Sequence, residues 1–415
     1  MNPPSPRSMK KKRSLKQRQR CRSRKQLIHT TPTLSKNIPL IKTSGVTSCR
    51  PKHNDLEDRI RSALWGLFIG DALAMPAHWY YSLHQLKQDF GRINGYCSPK
   101  TYFSGSIMAL SNTGGAGRGS NDGDIVGSVI MHGKKKYWAR DTNYHYHHGL
   151  LPGENTLDAN IVQLTMKQLH KDKGKFSALP MRKRYVKFMT TPGTHNDTYA
   201  STTHRLFFQH FAKGLPLSQC PGNDNHNVDT IDALPLLVPY ILAHVARYGR
   251  PFSSNMLQSL VRNVMGLFRK DTNGVLQKYG MHFGHLFMKL LTVERRSGDT
   301  TQLRKLLKDA AEDIQFDVAT SVAQDDDPMT ACYLSSSYPA LIHFAYKYAD
   351  SFEEALLANA NAGGENVARG ACLGALMGAY MGRQAIPEWM FNGLLKRKRI
   401  HTDVDAFVST MIPSL

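Results

Sequence analysis

The chain has 415 residues and a formal charge of +22, but residues 1–53 carry fifteen Lys or Arg and no acid, leaving only +7 on the rest. Six scattered cysteines without a C-x-x-C pair exclude a disulfide framework and a zinc ribbon, and favour a reducing compartment. The longest apolar run, Ala233 to Ala243, is short and holds Pro235 and Pro239, so no membrane-spanning segment is expected.

The basic tail, Lys10-Lys11-Lys12-Arg13 through Arg22-Ser23-Arg24-Lys25, lacks the apolar stretch of a secretory signal. It reads first as nuclear import or nonspecific contact with nucleic acid, with an organellar transit peptide or a solvated tail as the alternatives. Residues 1–53 are expected to be disordered and residues 54–395 to form one helical domain, with 396–415 as its C-terminal extension. From Asp55 the apolar positions Leu56, Ile60, Ala63, Leu64, Leu67 and Phe68 follow a helical period, which ends near Pro76. Gly91 to Gly127 has little periodicity and reads as loop; its run Gly114 to Gly119 lacks the Lys-Ser/Thr of a phosphate loop.

In Tyr144-His145-Tyr146-His147-His148 the histidine spacing suits no helical metal site, and the neighbouring Tyr137 and Trp138 suggest an aromatic wall. A second helix starts at Leu157, capped by Asn155 or Thr156. More helices are expected around 202–213, 228–248, 255–269, 301–313, 338–349 and 352–360. Last come Gly370, Gly374, Gly378 and Gly382, spaced by four. Such a stripe on one helix face lets another backbone approach closely, and offsets a cost of about 1 kcal/mol per glycine relative to alanine. With few runs of period two, the body reads as all-α.

Acids, amides and histidines gather at the expected helix ends: Gly70-Asp71, Gly153-Glu154-Asn155-Thr156, His195-Asn196-Asp197, Asp224 to Asp229, and Gly364-Glu365-Asn366. Asp, Asn and Thr are ordinary caps, so one such end means little. Five together point to a site where oxygen donors could hold a hard cation or activate water.

These segments resemble the ADP-ribosylglycohydrolase superfamily, in its J1-crystallin-like branch. The resemblance rests on Gly66 to Leu73, Gly153 to Leu157, His195 to Tyr199, His204 to Phe208 and Asn359 to Gly370. It implies an orthogonal all-α fold and hydrolysis of an ADP-ribose or related N- or O-glycosidic conjugate with bound Mg²⁺. It would place the metal on Asp71, Glu154, Asn155, Thr156 and Glu365, and catalysis on Glu154, Asp197 and Asp229. Substrate would meet His78, His195, Asn196, His226 and Asn366. The chain departs from the family pattern where a second acid would stand: Val367 and Ala368 follow Glu365-Asn366, Glu154-Asn155 keeps one acid of two, and His78 replaces a glutamate. A noncatalytic, crystallin-like binding or structural role is therefore the alternative. The expected ligand is an ADP-ribosylated substrate or ADP-ribose-like nucleotide, and the expected location is intracellular.

Overall fold

The computed structural model describes residues 53–105, 124–139, 142–294 and 299–412. The basic tail and the glycine run 114–119 lie outside the described residues. Among the described residues, fifteen α-helices of five residues or more follow in chain order. The first five are α1 (His53–Ala74), α2 (Leu83–Phe90), α3 (Leu157–Lys171), α4 (Ala178–Thr190) and α5 (Thr202–Ala212). Next are α6 (Leu237–Tyr248), α7 (Ser254–Met265), α8 (Val275–Thr292), α9 (Thr300–Glu312) and α10 (Val318–Ala323). The last five are α11 (Leu334–Lys347), α12 (Phe352–Asn361), α13 (Asn366–Met381), α14 (Glu388–Asn392) and α15 (Arg397–Met411). Among the described residues β-structure amounts to isolated bridges. The fold is all-α, as the periodicity implies, and no described helix is long and apolar enough to cross a membrane.

The core is built on α1 and α13, which run antiparallel with their backbones in contact. A Cβ on Gly66 would lie 2.0 Å from the Gly374 carbonyl oxygen, and one on Gly70 2.0 Å from that of Gly370. A Cβ on Gly378 would lie 2.2 Å from the Ser62 carbonyl oxygen. Gly382 has no part in this contact, because α13 ends at Met381 and Gly382 is its C-cap. The stripe is therefore three glycines long on α13, one fewer than its spacing suggests.

Two further differences from the sequence reading have simple causes. The segment 228–248 becomes helical only at Ile231 and runs as a 3₁₀ turn to Leu236 before α6, since Pro235 and Pro239 lack the amide hydrogens an early α-helix would use. Thr156 stands at the N-cap of α3, yet its hydroxyl donates to Asp71 instead of accepting from the helix.

Candidate active site

A cavity of about 300 Å³ opens where α1, α3, α5 and α13 begin or end. Beneath its floor lies Asp71, one residue beyond the last glycine contact of α1. Asp71 Oδ1 accepts from Asn155 Nδ2 (2.8 Å) and Thr156 N (2.9 Å), and Oδ2 from Thr156 Oγ1 (2.6 Å). Burial still dominates these bonds and raises the carboxyl to about 6. The backbone amide of Leu157, first residue of α3, donates to Asp197 Oδ2 at 2.7 Å. Asp197 therefore caps a helix from forty residues away.

On the opposite wall, Glu365 is set by a double-glycine turn. Gly363 and Gly364 have φ of +64° and +63°, and a Cβ on either would lie 2.4 Å from a carbonyl oxygen, of Tyr80 and Thr330 respectively. Backbone bonds Trp79 N to Gly364 O and Gly364 N to Tyr80 O, both 2.8 Å, lock the turn against 79–80. Arg369, fully buried, ties the same turn from within by donating to Gly363 O, Thr330 Oγ1 and Asn359 Oδ1. The outcome is a fixed Glu365 whose Oε2 accepts from Trp79 Nε1 (2.7 Å) and pairs with His78 Nε2 (3.1 Å).

From His78 a continuous chain of titratable groups crosses the site. His78 Nδ1 lies 2.6 Å from His147 Nε2, and His147 Nδ1 lies 2.8 Å from Asp197 Oδ1. The outer nitrogens face carboxylates and so carry hydrogens, while the 2.6 Å contact needs one more between the rings. The geometry thus favours a positive charge on the pair, drawn to the His147 ring by the Asp197 carboxylate. Burial opposes a charge on His147, but Asp197 outweighs it and the ring's pKa is raised. Burial likewise opposes ionisation of Asp197, and His147 with the Leu157 amide more than compensates, bringing it to about 2.

The remaining wall is aromatic and cationic. Trp79, Tyr146 and Tyr199 meet edge to face with ring centroids 4.5–5.4 Å apart, and Trp138 stacks behind Tyr199. Arg205, in the second turn of α5, lines the cavity with 3% exposure. It donates to Ala200 O (3.1 Å) and Thr202 Oγ1 (3.0 Å), lies over the Trp138 ring and has the Tyr199 phenol beside it. No described carboxylate forms an ion pair with it, its Nε has no partner, and neither has the buried Oγ of Ser201 next to it on the cavity wall. Burial lowers the guanidinium's pKa.

Of the residues expected from sequence, His78, Thr156, Asp197 and Glu365 line the cavity, and Asp71 and Asn155 lie directly beneath Thr156. Glu154 is buried behind the loop 195–197, where it accepts from Asn196 Nδ2 (2.8 Å), Lys396 Nζ (2.7 Å) and the Leu151 amide (3.2 Å). Asn196 is thereby turned from the cavity. His195 packs on Phe188, and burial together with Lys134 lowers it to about 4. Asn366 is absent from the cavity lining: its side-chain amide donates to Ala360 O, its backbone carbonyl accepts from Asn359, and its buried Oδ1 has no partner. Asp229 is absent from the cavity lining; it accepts from Asn223 and Asn273, and Asp232, paired with Arg269, takes the wall position instead. His226 is exposed and meets the Tyr333 hydroxyl at the rim.

His147, Arg205 and Asp232 are the site residues that spacing alone did not single out. The described residues hold no cluster of three or more His, Cys, Asp or Glu arranged around a metal position. The three carboxylates expected to hold Mg²⁺, Asp71, Glu154 and Glu365, each already accept from the protein's own N–H, O–H or ammonium groups, and Asn155 and Thr156 turn their hydrogens to Asp71, so this donor set does not fit a resident divalent ion.

No curated protein matches this sequence. One solved structure, described as an ADP-ribosylglycohydrolase-related protein complex, superposes with a TM-score of 0.51 at 18% identity, over 86% of this chain and 99% of that chain. At that identity the likeness speaks for the fold. The family model for ADP-ribosylglycohydrolase matches residues 52–413, which takes in every helix that frames the cavity. This chain belongs to the ADP-ribosylglycohydrolase family.

Proposed function

We propose that the cavity binds a ribosyl conjugate carrying phosphate, of the ADP-ribose type, and hydrolyses its glycosidic bond. The observation that carries this reading is Arg205: a buried guanidinium without a carboxylate partner, next to the free Ser201 hydroxyl at the N-terminus of α5. A buried cation left unpaired is costly unless an anion completes it, and the start of an eleven-residue helix adds N–H groups and a favourable dipole. Trp79, Tyr146 and Tyr199 offer a surface for a ring of the ligand.

In this reading the acid–base unit is Glu365–His78–His147–Asp197. Glu365 Oε1, whose described hydrogen bond is the 3.3 Å one from the Ala368 amide, is the oxygen with room for a proton from attacking water. Glu365 then hands that proton to the departing nitrogen or oxygen of the conjugate as the bond to the ribose carbon breaks, and the proton shared by the two imidazoles follows the change of charge at Glu365. Asp197, held near a pKa of 2, anchors the chain and stays ionised. Glu154 and Asp229 have no direct part, since both carboxylates are turned to other partners. Mg²⁺ is likewise given no step.

The test is binding of ADP-ribose by calorimetry, followed by incubation with protein ADP-ribosylated on Ser or Arg. Arg205→Met should weaken ADP-ribose binding by about 10- to 100-fold, from the ~1.5–3 kcal/mol of a charged hydrogen bond. Equal affinity of wild type and variant would sink the anion site. A second reading is favoured by the way Glu154 and Asp71 are satisfied internally: binding without turnover, as a crystallin-like branch would have it. Tight ADP-ribose binding with no product in a single-turnover assay would select that reading.

A further inference from the structure

Glu154 is where a divalent cation would be expected, and the position already holds a cation of the chain's own. Lys396 Nζ lies 2.7 Å from Glu154 Oε1, although the two are 242 residues apart and Glu154 is only 1% exposed. The lysine is delivered by tightly fitted backbone. Leu395 N donates to Gly153 O at 2.9 Å. Gly153 has φ +74°, and a Cβ there would lie 2.1 Å from the Gly393 carbonyl oxygen. A Cβ on Gly393 would in turn meet the Tyr96 ring at 2.6 Å, and the Tyr96 hydroxyl donates to Met390 O at 2.8 Å.

A second ammonium arrives from another direction. Lys134 Nζ donates to the backbone carbonyls of His195 (2.8 Å) and Asp197 (2.7 Å), the two residues flanking the Asn196 that binds Glu154. Two lysines 262 positions apart in sequence thus converge on one acid and one loop behind the cavity.

We propose that Lys134 and Lys396 are tethered cations that build this site without a divalent metal, Lys396 neutralising Glu154 and Lys134 gathering the carbonyls of the 195–197 loop. An ammonium gives three donors and a point charge, which suits one carboxylate oxygen and two convergent carbonyls. Because the cations are covalently part of the chain, the loop that presents Asp197 is set during folding and is insensitive to metal supply. Both lysines act by positioning; neither lines the cavity.

The experiment uses the full chain and needs no ligand, so it is independent of the ADP-ribose reading. Mn²⁺ is titrated into EDTA-treated protein and followed by electron paramagnetic resonance, while melting is compared in EDTA and in Mg²⁺. The expected results are no saturable Mn²⁺ binding in the micromolar range and the same melting temperature in both buffers. Lys396→Met should lower the melting temperature by several degrees, and adding Glu154→Gln should recover most of that fall. Saturable Mn²⁺ binding by the wild type, stabilisation by Mg²⁺, or a Lys396→Met defect that Glu154→Gln leaves unchanged would each overturn the proposal. Should Lys396→Met fail to fold, the Mn²⁺ titration of the wild type decides alone.

Discussion

Asp71 and Asp197 are both buried at the cavity and held by adjacent residues at the start of α3, and burial pushes both carboxyls up, yet their net shifts have opposite signs. Asp197 faces an imidazolium and sits near 2, whereas Asp71 meets only neutral donors among its hydrogen-bond partners and sits near 6. The signs follow from linkage. Asp71 binds its proton more tightly folded than unfolded, so its stabilising contribution is complete below 3.8 and is lost as pH rises through about 6. The stability of wild type relative to Asp71→Asn should therefore fall by about 2.4 kcal/mol from about pH 4 to about pH 7. Urea unfolding at a series of pH values measures this, and a flat difference would contradict it.

Asp197 runs the other way: its contribution is present above 3.8 and disappears as pH falls through about 2. Asp197→Asn turns an NH₂ toward donors and leaves His147 without its counter-charge, so it should cost about 3–5 kcal/mol at neutral pH. That penalty should shrink in acid. Of these groups the sequence made the carboxylates legible, because acids, amides and histidines gathered at the expected helix ends stand out. His147 was not legible as their link, since its partners His78 and Asp197 lie 69 and 50 positions away and only tertiary packing aligns the rings. Arg205 was hidden for a different reason: an arginine on an amphipathic helix ordinarily faces water, and nothing local says that this one is buried.

Among the elements, α1 and α13 offer the sharpest test. Gly374→Ala places a methyl group 1.9 Å from the Gly66 carbonyl oxygen, where only backbone movement can make room. The loss should reach or exceed the ~1–3 kcal/mol of ordinary overpacking, read as a lower urea midpoint. An unchanged midpoint would mean that the helices are not in contact there. The four-residue spacing disclosed that α13 has a close partner, but not which one. Gly66 and Gly70 carry the matching spacing on α1, 300 residues earlier, and period alone cannot pair two stripes. Helices α2, α4, α8, α10, α14 and α15 escaped the reading as well. The polar sequence of α15, with Arg397, Lys398 and Arg399 in its first turn, hides the narrow apolar face of Ile400, Val404, Phe407 and Met411 that packs inward.

For the molecule as a whole, Cys49–Leu415 clusters as one compact unit. The C-terminal helix α15 packs alongside α3, with Lys396 just before it on Glu154 and its later turns against Gln163 and His170. We expect the body to unfold in one transition, with far-ultraviolet circular dichroism and tryptophan fluorescence superimposing. Two separated transitions would show that α15 melts by itself.

The register of the two glycine helices has a mechanical consequence. Ser62 faces Gly378, Gly66 faces Gly374 and Gly70 faces Gly370, so the pair is keyed at three notches one helical turn apart. Asp71 stands one residue past the last notch on one rod, and Glu365 five residues before it on the other. Sliding by a single residue would drive side chains of α13, such as Ala371 or Ala375, into carbonyl groups at every notch at once. The pair therefore behaves as a locked gauge block, and the separation of the two carboxylates is machined into the backbone. Opening or closing of this cavity has to come from the loops around it, because its central axis has no second position to occupy.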